Sequence, residues 1–352
     1  MKSGFIPTII ALTILSSCAK TQEKIDTATL DPIQMAKPGG GGSGGIVTYL
    51  TGDAADVQTT TTGGLLLMGG STDVDAAIQW MIGKSGGGDV VVIRSSGADG
   101  YNSYMFGLGT VNSVETIMLD SRTKAMDAGV AQKIRNAEML FIAGGDQWNY
   151  ISYWKDTPTE DAINYLINTK KVPVGGTSAG LAILGSSYYS ASAGSVTSVQ
   201  ALGDPYHRYN TLGHADFVAA PILANTITDS HYSQRTRMGR HISWLARMMK
   251  DRAMPTVRGI GVDEQTAVAI EANGIAKVFG TNSAYFLWNN STGPETCIAK
   301  TPLTWNRNQL AVAGYRITGS GTGNGSFDLN NWTSFSGGNA LTHYVENGTL
   351  LP

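Results

Sequence analysis

The 352-residue sequence predicts an α/β fold, a three-layer sandwich built on a mostly parallel sheet. Three observations carry this expectation. Short, almost solidly apolar runs recur at residues 65–68, 90–93, 117–119, 139–143 and 172–174, the pattern of strands buried on both faces. Stretches with apolar residues at helical spacing separate them, as with Val74, Ala77, Ile78, Met81 and Ile82. Glycine pairs close several of the runs, at Gly69-Gly70, Gly144-Gly145 and Gly175-Gly176. In such a sheet the site is expected outside the carboxyl ends of the strands.

Taken in order, residues 1–18 read as a lipoprotein signal peptide. Lys2 supplies a positive charge, residues 5–15 are apolar, and Leu15-Ser16-Ser17-Cys18 closes the segment. The apolar run is too short to remain as a spanning helix. Small residues before a cysteine make Cys18 the expected lipidation site, so the chain is exported and anchored to a membrane rather than threaded through it. Residues 19–62 read as a flexible tether and lead-in, with a glycine run at 39–42 that cannot build a core. The globular part is expected at 63–288. Ser71 or Thr72 is placed to cap its first helix, and Gly86 to end it. A further helix runs through Ala125, Val130 and Ile134, and Thr159 is placed to cap one that carries Ile163, Leu166 and Ile167. Residues 289–352 hold Trp305, Tyr315 and Trp332 among Gly, Ser and Asn, which reads as a β-rich extension.

Composition excludes some classes of function. Charged residues make up only 15% of the chain and the net charge is −2, so there is no basic stripe for nucleic acid. If Cys18 carries lipid, Cys297 is the only other cysteine and no intramolecular disulfide can form. The Gly69-Gly70 turn does not fit the G-x-G-x-x-G spacing of a dinucleotide site, and that reading is set aside.

The chemistry centres on Gly176-Thr177-Ser178-Ala179-Gly180, a G-x-S-x-G turn between an apolar strand and a helix start. Flanking glycines let the backbone turn sharply and push the Ser178 hydroxyl out of the sheet. The N–H groups that open the next helix, from Ala179 on, face the oxyanion that attack by Ser178 would create. Gly144 and Gly145 close the neighbouring strand and offer further backbone donors, with Asp146 and Gln147 beside them. A serine needs a base, and there are only five histidines. His231 lies at a strand end, followed by Arg235, Arg237 and Arg240, which can bind a carboxylate, brace the site or form a solvated helix face. Asp263 and Glu264 are adjacent carboxylates, either of which can orient His231; in an extended segment they point to opposite sides, so only one does. His343 paired with one of these acids is the poorer alternative, because its surroundings lack sheet-edge character.

Four motifs together resemble the cyanophycinase family of serine peptidases, relatives of aspartyl dipeptidase. They are GGDQ at 144–147, GTSAG at 176–180, the run D-S-H-Y-S-Q-R-T-R-M-G-R at 229–240, and G-V-D-E-Q-T-A at 261–267. The resemblance implies a class I glutamine amidotransferase-like (flavodoxin-like) arrangement of the layers. It also implies Ser178 as nucleophile, His231 as base and Glu264 as third member, with Gln147, Asp229, Arg235, Arg237 and Arg240 around the substrate. The substrate it implies is cyanophycin, a polyaspartate backbone bearing arginine, or a related aspartyl peptide, cleaved without metal or organic cofactor; the family often pairs as dimers. The sequence departs from the pattern at Ser230, where cyanophycin-cleaving members carry glutamine, at Leu181, and through residues 186–210. The alternatives are an isoaspartyl or aspartyl dipeptidase of other specificity and a non-catalytic surface binding protein. An exported copy is expected to meet its polymer outside the cell, as a scavenger.

Overall fold

The computed structural model describes Met1 and residues 45–290 and 292–352. The expected signal peptide after Met1, the expected lipidation site Cys18 and the expected tether as far as residue 44 lie outside the described residues. No helix among the described residues is long and apolar enough to cross a membrane.

In chain order the first half runs β1 (Thr48–Gly52), β2 (Gly64–Met68), α1 (Asp75–Lys84), β3 (Asp89–Arg94), α2 (Asn102–Leu108), β4 (Ser113–Met118), α3 (Arg122–Ala125), α4 (Ala128–Asn136), β5 (Met139–Ile142), α5 (Gln147–Trp154) and α6 (Pro158–Tyr165). Then come β6 (Pro173–Thr177), α7 (Ala179–Ala182), β7 (Ser187–Tyr189), α8 (Ser198–Gly203), β8 (Leu212–His214), β9 (Thr226–Asp229), α9 (Met238–Arg252), β10 (Arg258–Val262), β11 (Thr266–Glu271), β12 (Ile275–Gly280) and β13 (Ser283–Asn289). The remainder is all strand: β14 (Val312–Thr318), β15 (Asn324–Asp328), β16 (Phe335–Ser336), β17 (Asn339–Glu346) and β18 (Thr349–Leu351).

These form an α/β architecture with two mixed sheets in place of the single, mostly parallel sheet expected. The first has the order β1-β4-β3-β5-β6-β2-β11-β12-β15-β16. Its five strands from β4 to β2 are mutually parallel, and the strands outside them are antiparallel. The second has the order β18-β17-β14-β13-β10-β9-β7-β8. Parallel pairing requires a crossover, which the helices between β2 and β6 supply; tight turns such as the one joining β11 to β12 permit only antiparallel neighbours.

Strand periodicity divides the core. Leu66, Met68, Val90, Val92, Met139 and Phe141 face one way, into the cluster that holds Ala77, Ile78 and Met81 of α1 and Met105 of α2. The alternate residues Leu65, Leu67, Val91, Ile93, Leu140 and Ile142 face the other way, against Val130 and Ile134 of α4, Ile151 and Trp154 of α5 and Ile163 of α6. Both faces are covered, which is why the runs are apolar throughout. The second sheet works the same way. Ile260, Val262, Phe286 and Ile317 join the large cluster shared with the first sheet, while Ile227, Leu287 and Val312 pack with Trp244 and Leu245 of α9.

Several element expectations need correction. The fold starts before residue 63, because β1 pairs antiparallel with β4 and forms the edge of the first sheet. The first helix takes Val74 as its cap residue without a side-chain cap bond; Ser71 instead adopts the left-handed backbone. Thr157, not Thr159, precedes α6, whose first residue is Pro158, a position where the absent N–H has no partner to lose. The tail is not a separate appendage. β14 and β17 extend the second sheet while β15 and β16 extend the first, and Phe286 of β13 stacks on Phe327 of β15 with ring centres 4.0 Å apart. Cys297 is buried, and burial pushes its thiol up to about 11, so it is an inert core residue.

Candidate active site

Ser178 follows β6 directly and is the only partly exposed residue between 172 and 185. Its backbone has φ 54° and ψ −111°, a conformation that L-residues rarely hold. The turn is closed by the Ser178 N–H donating to Met68 O at 3.0 Å. It also needs Gly180, since a Cβ there would sit 2.2 Å from the Ile142 carbonyl oxygen of the adjacent β5. The helix after it, α7, completes only one turn, shorter than the sequence implies.

His231 arrives from the other sheet. It stands two residues beyond β9, also at positive φ (44°), and its N–H donates to Gly69 O at 2.8 Å, tying the second sheet to the end of β2. Its Nε2 lies 2.7 Å from Ser178 Oγ and its Nδ1 lies 2.7 Å from Glu264 Oε1. Glu264 is acceptor-only when ionised, so Nδ1 carries the proton and Nε2 is left to accept from the serine. Glu264 occupies the turn between β10 and β11. Gln234 accepts its N–H through Oε1 (3.0 Å) and Asn282 Nδ2 donates to its carbonyl (2.9 Å). The neighbouring carboxylate turns away: Asp263 Oδ1 accepts from the Ser233 N–H at 2.8 Å and the Ser233 hydroxyl at 2.6 Å. That resolves the choice between the two acids. His343 sits in β17 opposite Val312 and takes no part.

Gly70 lets His231 and Ser178 meet. At φ +99° it is a position for glycine, and a Cβ there would lie 2.5 Å from His231 Cε1 and 3.1 Å from Ser178 Cβ. Sequence reasoning missed this residue because it tested the Gly69-Gly70 turn only as a nucleotide motif. The expected result for Gly70→Ala is a fall in kcat/KM of about 100-fold or more, as a misplaced base of roughly 1 Å would give. Steady-state kinetics checks it, with circular dichroism to confirm the fold.

Burial pushes the His231 imidazole below its ordinary value of 6.5; the Glu264 hydrogen bond opposes this, and the positive Arg235 and Arg237 reinforce it. The base is therefore neutral near pH 7. If His231 is the base, kcat/KM should rise with pH with a midpoint below 6.5 and then level off, since protonated imidazole cannot accept from Ser178. Arg235 is exposed and outside the relay. Removing its charge in Arg235→Gln favours the imidazolium, so the midpoint should move upward. A pH–rate profile of both proteins reads the shift.

A cavity of about 260 Å³ is lined by Gly145, Asp146, Gln147, Tyr189, Arg237 and Arg240, among others, so one carboxylate as well as two guanidiniums borders it. Gln147 Nε2 donates to Tyr189 O at 2.7 Å, and Asp146 caps α5 by accepting from the Trp148 N–H. Asp229 is not a lining residue. It is 2% exposed and takes two bonds from Arg240, at 2.8 and 2.6 Å, plus one from Arg237 at 3.3 Å. Burial alone would raise its carboxyl, but the two guanidiniums outweigh it and hold it below the usual range. Arg240 also donates through Nη1 to Val196 O, and its guanidinium lies against the stacked pair Tyr189 and Trp244, 5.1 and 4.9 Å from the two ring centres. Arg237 bonds only through Nη1, to Asp229 and Ser230, which leaves its other donors for the cavity. Gly144 borders the nucleophile, a Cβ there falling 3.5 Å from Ser178 Cβ.

A hydrogen-bonded Ser–His–Glu chain at the carboxyl edge of an α/β sheet is the arrangement of a serine hydrolase. The profile of Peptidase family S51 matches residues 98–278, just over half of the chain and a span that holds all three residues. The chain belongs to peptidase family S51. Among curated proteins it is 27% identical to a cyanophycinase of Trichormus variabilis over 205 residues, 57% of this chain and 63% of that one. It is 27% identical to a cyanophycinase of Synechococcus elongatus over 173 residues (49% and 48%), and 24% identical to one of Geminocystis herdmanii over 220 residues (62% and 74%). The match to the Trichormus protein thus spans under two thirds of its length. Among solved structures, a peptidase from an acI-B1 Actinobacterium aligns over 65% of this chain and 91% of its own, with a TM-score of 0.46 and 16% identity.

Proposed function

We propose that the protein is a serine exopeptidase that hydrolyses aspartyl peptides, with cyanophycin as the leading substrate. The observation that carries this is the relay of two 2.7 Å contacts, together with a cavity bordered by two guanidiniums. In the proposed reaction Ser178 Oγ attacks the peptide carbonyl carbon while His231 Nε2 takes the hydroxyl proton. Glu264 stabilises the imidazolium and fixes its tautomer. The N–H groups of Ala179 and of the Gly144-Gly145 turn receive the oxyanion. The C–N bond then breaks and the amine leaves with the proton from His231; water attacks the acyl-Ser178 ester with His231 again as base, the ester C–O bond breaks, and Ser178 Oγ takes the proton back from His231 as the acid product leaves.

Arg237 supplies the charge complement for a substrate carboxylate, and Arg240 and Asp229 hold it in place. Curated relatives named as cyanophycinases support the polymer as substrate. A cavity of about 260 Å³ also suits small aspartyl or isoaspartyl dipeptides, which is the second reading. Incubating the chain with insoluble cyanophycin and with defined isoaspartyl dipeptides, and identifying products by mass, separates the two. Release of β-Asp-Arg supports the polymer; turnover of dipeptides alone supports the second reading. Lipidation at Cys18 and action outside the cell belong to the same proposal. Hydrolysis by lysates but never by intact cells displaying the protein would count against them.

A further inference from the structure

Asp263 takes no part in the proposed reaction, yet its carboxylate is 3% exposed and three donors close on it. Oδ1 accepts from the Ser233 N–H and hydroxyl, and Oδ2 accepts from the Ser283 N–H at 3.2 Å. The Asp263 N–H returns a bond to Ser283 O at 3.0 Å. A buried carboxylate is costly unless hydrogen bonds of this kind satisfy it.

The donors come from two separate turns. Ser233 lies in the turn after β9 that carries His231, closed by the Arg235 N–H donating to His231 O at 3.1 Å. Ser283 opens β13, at the end of the turn from β12. Asp263 itself precedes Glu264 in the turn between β10 and β11. One side chain thus ties the turn that holds the base to the turn that holds the acid. A second tie runs beside it, from the Glu264 N–H to Gln234 Oε1. From the other side, Glu264 O accepts from Asn282 Nδ2 and from the Thr266 hydroxyl at 3.1 Å. Both turns need restraint. His231 has φ 44° and Gln265, just past the acid, has φ 55°, left-handed conformations that such residues hold where their surroundings enforce them. Backbone bonding joins the two elements as far as Val262, whose carbonyl accepts from the Tyr232 N–H at 3.2 Å. Beyond it the ties are made by side chains, at Ser233–Asp263 and Gln234–Glu264.

We propose that Asp263 is a positioning residue of the relay: through Ser233 it locks the His231 turn onto the Glu264 turn and so keeps Nδ1 facing the Glu264 carboxylate. This rests on the peptidase reading and deepens it, adding a residue that acts through two others and touches none of the reacting atoms. Ser233 is exposed, so Ser233→Ala removes the 2.6 Å bond without opening the core, while Ser233→Thr keeps the hydroxyl. Asp263→Asn keeps the shape, but its amide nitrogen must then face a donor, on the Ser233 side or the Ser283 side.

The test is NMR of the full chain with isotope-labelled histidine, following solvent exchange of the Nδ1 proton, with His231→Ala to assign the signal. The expected result is a slowly exchanging His231 proton in the parent and in Ser233→Thr, exchanging about tenfold faster or more in Ser233→Ala and Asp263→Asn. Labelling of Ser178 by a fluorophosphonate should slow by about tenfold or more in the same two variants and recover in Ser233→Thr. The midpoint of its pH dependence should also move down, because the Glu264 bond raises the imidazole against burial and the charges of Arg235 and Arg237. A merely structural role would lower the melting temperature and leave that midpoint unchanged. Equal exchange and equal labelling in the parent and Ser233→Ala, or no slowly exchanging proton in the parent, overturns the assignment. If Asp263→Asn fails to fold, Ser233→Ala and Ser233→Thr decide alone. Exchange that responds as expected in a chain whose Ser178 takes no label would keep the positioning role and sink the peptidase reading alone.

Discussion

Ser178→Ala is expected to lower kcat by about 10⁴- to 10⁶-fold, because removing the nucleophile from a relay of this kind leaves only binding and oxyanion stabilisation. The loss should fall on kcat and not on substrate affinity, since the hydroxyl touches only His231 Nε2 among its side-chain partners. Stability should hardly change: the residue is partly exposed, and the backbone bond that closes the turn, from its N–H to Met68 O, survives the substitution. His231→Ala should give a loss of similar size, and the double variant no more than either alone, because the two act as one unit. Turnover of cyanophycin or an aspartyl peptide, measured beside thermal unfolding, checks each point. A variant that keeps more than a few per cent of parental turnover would place the nucleophile elsewhere.

Asp229→Ala is expected to be the most destabilising single change at the site. The carboxylate is buried and neutralises two guanidiniums, one of them, Arg240, itself nearly sealed from solvent. Deleting one partner of a buried pair leaves a charge without compensation, which costs about 3–5 kcal/mol. Equilibrium urea unfolding would show it as a lower midpoint at constant slope. The same variant frees Arg237 from its anchor, so KM for carboxylate-bearing substrates should rise. Acid should mimic the substitution. Because the folded carboxyl is held below its ordinary 3.8, its contribution is present above that value and is lost only as pH falls through the lower, folded-state value. A midpoint that did not move would mean that water, not Asp229, solvates the arginines.

The sequence was most legible where local chemistry decides geometry. A solid apolar run, two glycines and a serine specify a strand, a turn and an exposed hydroxyl with little help from elsewhere, and Ser178 lies there. The alternation of Leu65 to Met68 between two cores likewise follows from strand periodicity. Sheet membership was not legible. β11, β12 and β13 are consecutive in the chain, yet the first two join one sheet and the third the other, a division set by long-range packing such as the stacked pair Phe286 and Phe327. The choice of Glu264 over Asp263 depends on Ser233, thirty residues away, which binds Asp263. Asp229 illustrates the opposite limit. A motif identifies it, but only its burial between Arg237 and Arg240 shows that it braces the cavity and does not line it.

Activation of Ser178 as a nucleophile by His231 underlies the proposed reaction. The most direct measurement is mass spectrometry of the chain after reaction with a serine-directed fluorophosphonate, with the adduct mapped by peptide. One adduct per chain is expected, on Ser178, formed far more slowly in His231→Ala and at pH values below the titration of His231. No adduct on a folded chain, or one on another serine with Ser178 unmodified, would contradict it.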